Sequence, residues 1–594
     1  IYEACDLIKR NHKISIDPEK LSLNDQKVFD LLAKGDTIGI FQCESPGMRE
    51  TLRQVVPDCI QDVIAVIALY RPGPMKFIST FARRKHGQEE VKYDHLILES
   101  ILQETYGIIV YQEQIMQAAQ MLAGFTLAQG DILRRAIGKK KAEVLSAQRQ
   151  EFIKGCSKTN DIEKKLAETI FDNIEEFAQY GFNKSHSAAY AMIAYQTAWL
   201  KAHYKGEFMA ALLSSEMNNT DKLSSIISDT KEMQLEVLPP CINESISRFN
   251  AVGDGAIRFG MTAIKGVGEG LADEIVIERD SKGAFKGLID FCVRMKSPNR
   301  KMLESLIRSG AFDFTQMNRS RLFHGIDMAL SRANEKTKDA KSGQITFFDL
   351  NIQNDERNED LDLPKTAKWD EIKKLKDERE LLGFYVSGHP LKLYQWEVDN
   401  FGIHNHEDIF NSEKNDQIRL AGVITDVKKL YTKKNRPMAQ FKIETLNGIS
   451  QSVIFPDPYE KYGGLVNEEE VLIIGGSILE DNGGEKKLQV LELCPINKSP
   501  IIFGKKILIS IDENIISNDI LKEVNDIIKI YPGKIPVLFN VCCDSGKKVL
   551  LETESLCVNP NAEFIDKVEK IIGKNNVHLD VLTTPLKNPI KKRK

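Results

Sequence analysis

The chain has 594 residues, of which 42% are hydrophobic and 28% charged, and its formal net charge is −4 at pH 7. This composition is ordinary for a water-soluble globular protein, and the length predicts about three to five domains. No apolar run approaches the roughly 18 residues that span a bilayer, and the first residues do not form a signal peptide, so we expect no membrane partner.

The predicted elements change character along the chain. Residues 1 to about 240 are mostly helical, with breaks at YRPGPM (70–75) and LPPCINESISRF (238–249), because proline and glycine interrupt helices. A short β-like run and more helices follow, then a polar connection over 333–370. Five alternating runs between 418 and 495 predict a small closed barrel. Residues 505–594 mix strands with helices, so the predicted fold class is multidomain α+β, with a mainly helical region, an OB-fold β-barrel and a small α/β C-terminal domain.

Charge is distributed unevenly, although the total is near zero. RRAIGKKK (134–141) and the last nine residues each carry five positive charges, whereas NDERNEDLDL (354–363) is acidic. Only charges close to phosphates release counterions, so these local basic stretches are candidate contacts for a polyanion. The ten cysteines include no CxxC pair, which predicts buried, reduced thiols in a cytoplasmic protein.

The stretch YGFNKSHSAAYAMIAYQTAWLKAHY (180–204) predicts a helix beginning near Ser185, with His186 and Tyr190 on one face. Lys184 and Ser187 lie in its first turn with Ser185, where free N–H groups and the helix dipole favour a phosphate. Tyrosine adds a flat face for a base or a sugar. A capped packing helix with a solvated entrance explains the same residues, and it is the favoured interpretation when this stretch is taken alone.

Paired arginines occur earlier, in GDILRRAIGKKK (130–141). Arg134 and Arg135 point about a third of a turn apart and can hold different phosphate oxygens, while Lys139 and Lys140 supply point charges. A solvated basic face is the alternative. The two clusters suited to phosphate lie within roughly fifty residues of each other. Taken together, they favour phosphate binding over the packing helix and the solvated basic face.

TAIKGVGEGLADEIV (262–276) predicts a helix, a tight glycine turn and a second helix, as in helix-hairpin-helix DNA-binding modules. Glycines in such a turn let backbone N–H groups approach a phosphate, and the following helix presents its N-terminus. The candidate contacts are Lys265, Gly266, Gly268 and Gly270. The preceding strand of a dinucleotide-binding motif is missing. A turn that serves only the fold is the alternative.

The predicted barrel resembles OB-folds, which bind single strands through a basic groove and aromatic stacking. The candidate contacts are Tyr431, Lys433, Lys434, Arg436, Phe441 and Phe455. Aromatic residues of small barrels are also often core residues, so each assignment is open.

GQITFFDL (343–350) places two adjacent phenylalanines inside the polar connection. Exposed apolar pairs often mark partner sites, and a short peptide of this kind suits a weak, reversible contact. Docking of the peptide on its own domain is the alternative.

Several long stretches together resemble the alpha subunit of bacterial DNA polymerase III, a C-family replicative polymerase. They are GIFQCESPGMRE, VIALYRPGPM, YGIIVYQEQIMQ, LRRAIGKKK, YGFNKSHSAAYAMIAYQTAWLKAHY, AIKGVGEG and ERELLGFYVSGHPL. They occur in the family's order from residue 1 through the barrel, and the resemblance weakens after about 500. The first residue, Ile1, lies within a helical pattern. We therefore expect a C-terminal portion that lacks the phosphatase-like domain and most of the palm, either as a fragment or as one half of a split protein.

The resemblance implies an architecture for the chain. Residues 1–60 would end the palm, and 61–240 would be the fingers. Residues 241–415 would be the clamp-binding domain, with the hairpin at 262–276 and the clamp peptide at 344–350, anchored by Gln344, Phe347 and Phe348. Residues 416–498 would be the OB domain and 499–594 a domain that binds the clamp loader.

The resemblance also implies partners and a phosphate contact. The partners would be primer-template DNA, dNTPs, the sliding clamp (beta), the clamp-loader tau subunit and a proofreading exonuclease subunit. Arg71, within YRPGP, would be a further phosphate contact beside the two basic clusters. The DNA-directed DNA polymerase activity would be 5'-3' nucleotidyl transfer from a dNTP to a primer 3'-OH.

The family's catalytic residues have no counterpart here. Three palm aspartates, two of them in a DxD pair, hold two Mg²⁺ ions in the family, and we find no DxD on a strand at the start of this chain. DLD (360–362) lies in the acidic connection and is a poor candidate. Two-metal phosphoryl transfer needs such carboxylates. We therefore expect no catalytic or metal-binding residue in this chain and no dNTP incorporation by it alone.

Two alternatives remain for the function. A non-catalytic DNA-binding scaffold would explain residues 250–500, but not the basic clusters before residue 200. An error-prone relative of the same polymerase is the second, and the QITFFDL peptide argues mildly against it.

Overall fold

The structure is a computed structural model, and it describes residues 1–138, 142–178, 181–342, 359–480, 486–543 and 547–582. Two compact units are present: Ile1–Lys368 with Leu381–Gly383, and Trp369–Glu380 with Phe384–Lys594. Among the described residues, no helix combines the length and apolar character needed to cross a membrane.

The first unit begins with a helical region, as predicted. Its helices are α1 (Tyr2–His12), α2 (Gln26–Lys34), α3 (Pro46–Val55), α4 (Ile60–Leu69), α5 (Ile78–Lys85), α6 (Leu96–Leu102), α7 (Gln112–Ala123), α8 (Leu127–Gly138), α9 (Ala142–Asn160), α10 (Lys164–Ala178), α11 (Lys184–His203), α12 (Lys205–Ser215) and α13 (Thr220–Glu232). The predicted break at YRPGPM separates α4 from α5, where Gly73 has a φ of 104°.

The helix α11 is the central element of this region because small residues line its buried face. Ala191, Ala194, Tyr195 and Ala198 follow the i, i+3, i+4, i+7 spacing and are 0% exposed. The alanines let α2 and α4 pack closely on the helix, in one apolar core. A second core joins α6, α7, α8, α9 and α10. Tyr111, the residue before α7, packs in the same core as α11.

In the rest of the first unit, the described residues form a small sheet and five helices. The strands β1 (Glu236–Leu238), β2 (Asn250–Val252) and β3 (Ala256–Arg258) have the order β1-β3-β2. The helices are α14 (Glu269–Lys282), α15 (Leu288–Arg294), α16 (Arg300–Arg308), α17 (Arg319–His324) and α18 (Ile326–Ser342). The helix predicted before the glycine turn is only a 3-10 turn, Met261–Ala263, because the chain has just left β3.

The second unit begins with three helices and contains the predicted barrel. The helices are α19 (Glu371–Leu382, whose last two residues belong to the first unit), α20 (Gln395–Phe401) and α21 (His406–Asn411). The barrel strands are β4 (Gln417–Tyr431), β5 (Pro437–Glu444), β6 (Ile449–Ile454), β7 (Val471–Glu480) and β8 (Lys486–Pro495), with α22 (Pro456–Tyr462) between β6 and β7.

The barrel closes in the order β4-β5-β6-β8-β7. All neighbouring strands are antiparallel except β6 and β8, which pair in parallel from Ser452–Leu488 to Ile454–Val490. Alternate residues of each strand point inward, so Leu420, Ile443 and Ile474 form part of its core. The predicted OB-fold barrel is confirmed.

The C-terminal elements form the expected α/β arrangement. They are α23 (Ser499–Phe503), β9 (Gly504–Asp512), α24 (Asn518–Ile530), β10 (Pro532–Cys542), β11 (Lys548–Val558), α25 (Ala562–Ile572) and β12 (Val577–Val581). The sheet order is β11-β10-β9-β12, and Val524 of α24 and Phe564 of α25 pack in the same core as Ile509.

Candidate functional site

The start of α11 is held by side chains that already use several of its free backbone donors. Asn183 caps the helix, and its Oδ1 accepts a 2.8 Å hydrogen bond from the His186 N–H. Glu113 of α7 accepts from the Asn183 side chain and from the Lys184 N–H, both at 3.0 Å. A phosphate at this helix start would therefore compete with the Glu113 carboxylate, a point that sequence periodicity does not reveal.

The Lys184 side chain is held at one place near the helix start. Its Nζ lies 2.7 Å from both carboxylate oxygens of Glu104 and 5.3 Å from the centroid of the Tyr111 ring. The Tyr111 ring is 2% exposed, and burial raises the pKa of its hydroxyl. The Lys184 side chain is 39% exposed, so a ligand can reach its ammonium group from solvent.

The paired arginines converge on one carboxylate. Arg134 places Nη2 at 2.7 Å from Asp131 Oδ1, and Arg135 places Nη2 at 2.7 Å from Asp131 Oδ2. The hydrogen bond from Arg134 holds the pKa of the Asp131 carboxyl below its usual value. The two guanidinium groups thus hold different oxygens of one anion, which is the geometry expected for a phosphate. The Arg135 side chain is 65% exposed and Arg134 is 30% exposed.

A glutamine connects the arginine pair to the start of α11. Gln112 Oε1 accepts a 3.1 Å hydrogen bond from Arg134 Nη1, and Gln112 Nε2 donates to the Gly181 carbonyl at 3.1 Å. The backbone of Gln112 also donates to Phe182 at 2.9 Å, beside a parallel bridge between Tyr111 and Phe182. The two predicted phosphate-binding stretches are therefore neighbours in space. Gln112 belongs to the quoted stretch YGIIVYQEQIMQ, but nothing in its spacing indicated this contact.

A row of flat side chains runs along the same helix start. The Arg71 guanidinium lies 3.6 Å from the centroid of the Phe182 ring, and Phe182 meets His186 at 5.4 Å. His186 meets Tyr190 at 4.4 Å. On its other side Tyr190 packs against Phe41 at 5.1 Å. Arg71 and His186 are exposed and Tyr190 is half-buried, so the row offers a guanidinium group and ring edges to solvent.

Ser185 and Ser187 differ in what they can reach. Ser185 is exposed. Ser187 is 0% exposed, and its hydroxyl donates to the Lys184 carbonyl at 3.1 Å. The predicted phosphate contact of Ser187 is corrected by this burial, because the side chain faces the packed protein interior rather than solvent.

The glycine turn before α14 leaves its backbone accessible. Gly266 has a φ of +92°, and a Cβ there would lie 3.0 Å from Ser305 Oγ, so glycine is needed at this position. A Cβ at Gly268 or Gly270 would meet open space, and both residues are exposed at the start of α14. The side chain of Lys265 is exposed beside them. This arrangement fits a backbone phosphate contact.

The barrel candidates separate into surface and core residues. Tyr431 is 70% exposed, and Lys433 and Lys434 are exposed on the turn between β4 and β5. Arg436 pairs with Asp457 at 2.7 Å and Glu460 at 2.8 Å. Phe441 is 3% exposed within the barrel core, so the predicted stacking on single-stranded DNA is corrected: its ring has no free face.

Among the described residues, one group has the spacing of metal ligands: Asp58, Cys59 and Asp62. Lys85 Nζ lies 2.6 Å from Asp58 and 2.9 Å from Asp62, so a buried ammonium already neutralises these carboxylates. A thiol and a bound lysine do not suit Mg²⁺, which prefers carboxylate and water oxygens.

The DLD sequence does not form a metal site either. Asp360 is 1% exposed and accepts hydrogen bonds from the Leu288 and Ile289 N–H groups at the start of α15, at 2.7 and 3.0 Å. Asp362 pairs with Arg332 at 3.2 Å. Both carboxylates therefore hold the local fold together.

Some predicted residues lie outside the part of the chain that the structure describes. They are Lys139 and Lys140 of the basic cluster, and Gln344, Phe347 and Phe348 of the clamp peptide.

Three family models match separate parts of the chain. The bacterial DNA polymerase III alpha subunit finger domain matches residues 1–160, the helix-hairpin-helix motif matches 234–322, and the OB-fold nucleic acid binding domain matches 418–496. The finger match includes residues 1–60, for which the predicted palm assignment stays a prediction.

Curated relatives match nearly the whole chain. DNA polymerase III subunit alpha of Escherichia coli (strain K12) is 36% identical over 583 residues, covering 96% of this chain and 50% of the relative. The Pasteurella multocida protein of the same name is 36% identical, covering 97% and 51%. The Aquifex aeolicus protein is 42% identical, covering 80% and 39%. The chain thus spans about half the length of the first two relatives.

Proposed function

Because this chain belongs to the bacterial DNA polymerase III alpha-subunit family, we propose that it takes part in template-directed DNA synthesis as the C-terminal portion of a replicative polymerase. The proposal includes primer-template DNA and dNTPs as ligands. It rests most directly on the contact of Gln112 with both Arg134 and Gly181, since that contact joins two basic stretches into one surface.

In this proposal the joined surface binds the triphosphate of the incoming nucleotide or nearby template phosphates. Arg134, Arg135 and Lys184 supply charge, and His186 with Tyr190 supplies ring faces beside the phosphates. Each of these cations is paired with an acidic side chain in the structure, so the ligand exchanges one anionic partner for another. Arg71 and the exposed Ser185 extend the same surface.

The assignment of segments follows the same family. We propose the end of the palm at 1–60, fingers at 61–240, the clamp-binding domain at 241–415, the OB domain at 416–498 and the clamp-loader-binding domain at 499–594. The hairpin residues Lys265, Gly266, Gly268 and Gly270 would hold the DNA backbone, and Tyr431, Lys433, Lys434 and Arg436 would contact single-stranded DNA. The partners would be the sliding clamp, the tau subunit and a proofreading exonuclease subunit, in the cytoplasm.

We propose that the carboxylates that hold Mg²⁺ come from a segment outside these 594 residues. The metal-like cluster around Asp58 and the DLD sequence support this, because lysine, arginine or backbone groups occupy their oxygens. This chain would then bind and orient the nucleotide without itself supplying the metal site. An error-prone family member would use the same nucleotide surface, whereas a DNA-binding scaffold would not need it.

The experiment that tests the nucleotide surface changes Arg135. In the polymerase reconstituted with a palm segment, we expect Arg135→Ala to raise the dNTP KM or lower kcat/KM about 10-fold or more, since one hydrogen bond to a charged phosphate is lost. Arg149→Ala is the matched control, because Arg149 lies on α9 and pairs with Asp172 instead. Unchanged kinetics in Arg135→Ala would remove this residue from the site.

A further inference from the structure

The first residue of α7, Gln112, occupies a position between the arginine pair and the start of α11. Its side-chain oxygen accepts from Arg134 Nη1 at 3.1 Å, and its side-chain nitrogen donates to the Gly181 carbonyl at 3.1 Å. Its backbone N–H donates to the Phe182 carbonyl at 2.9 Å. One half-buried residue therefore contacts both basic stretches at once.

Only a primary amide of this length makes both side-chain contacts. A carboxylate would accept from Arg134 but would offer no donor to Gly181, and an apolar side chain would make neither bond. The neighbouring Glu113 holds the other side of the α11 start, through Asn183 and the Lys184 N–H. The first turn of α7 thus ties the residues before α11 to the guanidinium of Arg134.

Besides its ion pair with Asp131, Arg134 has a contact outside its own helix. Arg134 and Asp131 lie three residues apart on α8, so their ion pair constrains Arg134 within its own helix. The Gln112 contact is the one described hydrogen bond that links the Arg134 side chain to residues of α7 and, through them, to the segment before α11. Distances between charges on two helices affect multivalent anion binding strongly.

We propose that Gln112 is a positioning residue that sets Arg134 at the correct distance from Lys184 and His186. It does not touch the ligand. Through Gln112, a triphosphate meets Arg134 and the α11 start as one preformed surface rather than as two independent cations. This inference rests on the proposed function and deepens it, since it names the residue that joins the two halves of the phosphate site.

The test measures the affinity of the 594-residue chain for inorganic tripolyphosphate by titration calorimetry at low ionic strength. We expect Gln112→Met to weaken binding up to about 10-fold, because Arg134 is then no longer held in place before binding and the ligand must order its side chain. Gln117→Met is the matched control, because it makes the same chemical change on the exposed face of α7. We expect its affinity to equal that of the unchanged chain.

A double-mutant cycle separates positioning from a general structural effect. Arg134→Ala alone should also weaken binding, and adding Gln112→Met to it should cause little further loss, because Gln112 acts through Arg134. Equal effects of Gln112→Met with and without Arg134 would overturn the proposal. If Gln112→Met fails to fold, as judged by thermal unfolding, Gln112→Asn replaces it: its amide is too short to reach both partners, and the same loss is expected.

Failure of this inference is distinguishable from failure of the proposed function. If the unchanged chain does not bind tripolyphosphate, or Arg134→Ala binds equally well, the phosphate site itself is wrong. If Arg134→Ala weakens binding but Gln112→Met behaves as Gln117→Met does, the phosphate site stands and Gln112 is not its positioning residue.

Discussion

At the scale of single residues, the function of a side chain depends on whether it is exposed at the site. Ser187 and Phe441 carry suitable groups for a phosphate and a base, yet both are buried. Ser185 and Tyr431 have the same chemistry and are exposed. Residue type therefore determines what a side chain could bind, and burial determines which members of each pair can do so.

The barrel provides a direct test of the difference between exposed and buried candidate residues. We expect Tyr431→Ala to leave heat stability unchanged but to weaken single-stranded DNA binding by about 1–3 kcal/mol, the cost of one lost stacking contact. Phe441→Leu should instead lower the unfolding temperature of the barrel, because it leaves a cavity in the core, while affinity measured well below that temperature stays near its original value. The reverse pattern would show that Phe441 faces the DNA.

A buried carboxyl in the helical region predicts a pH dependence. The pKa of the Asp229 carboxyl is raised from 3.8 to about 6, mainly by burial and also by nearby Glu232, against the lowering effect of Lys201 and Arg49. Asp229 Oδ2 is buried with no hydrogen-bond partner in the described structure. Because the folded-state pKa is the higher one, the stability contribution is full below pH 3.8 and is lost as the pH rises through 6.

We therefore expect Asp229→Asn to raise the melting temperature at pH 7.5 relative to the unchanged chain, since it removes a buried charge. Near pH 4 the difference should largely disappear, because the carboxyl is then protonated in the folded state. Asp254→Asn, at an exposed position, is the control and should show no such pH-dependent gain. A gain of equal size at both pH values would contradict the assignment to Asp229 ionisation.

At the scale of elements, the helices and strands bring together residues that lie far apart along the chain. The 3.6-residue periodicity of α11 places Ala191, Ala194, Tyr195 and Ala198 against α2 and α4, which leaves His186 on the exposed side of the helix. The two-residue periodicity of β4 to β8 similarly directs one face of each strand into the barrel. Packing of one face thus decides what the opposite face can present.

A glycine in the barrel shows how tightly two strands approach. Gly476 of β7 lies at an irregularity in its pairing with β8, and a Cβ there would lie 2.2 Å from the Gln489 carbonyl oxygen. We expect Gly476→Ala to destabilise the barrel by about 1–3 kcal/mol, because the strands must separate. The measurement is the barrel's transition in a calorimetric melt. Gly464→Ala, where the added Cβ meets open space, should leave that transition unchanged.

At the scale of the whole molecule, several nucleic-acid modules occur in one chain. The finger match, the helix-hairpin-helix match and the OB-fold match cover 1–160, 234–322 and 418–496 in order. A protein that followed DNA over a long distance would gain affinity from such linked sites, because binding of one module raises the effective concentration of the next. A weak clamp contact would add to the same effect.

The clamp peptide leads to a prediction about assembly. Deleting residues 344–350 should abolish retention of the chain on an immobilised sliding clamp, because Phe347 and Phe348 supply the apolar anchors of the proposed contact and Gln344 a polar one. A variant that lacks the next seven residues, 351–357, is the control for shortening the connection. Clamp retention by the 344–350 deletion would show that another segment makes the contact.

The sequence by itself determined the element types, the five barrel strands and the residue types suited to phosphate, because periodicity and side-chain chemistry are local properties. It also indicated that the two basic stretches belong together, through their resemblance to one family. Only the tertiary structure decided that Gln112 joins them, that Glu104 and Glu113 already pair with Lys184 and the start of α11, and that Ser187 and Phe441 are buried. The partners in these contacts lie far apart along the sequence: Gln112 and Gly181 are 69 residues apart, and Glu104 and Lys184 are 80 residues apart. Local patterns specify which face of an element is buried, whereas the neighbour that covers it is chosen by packing of the whole unit.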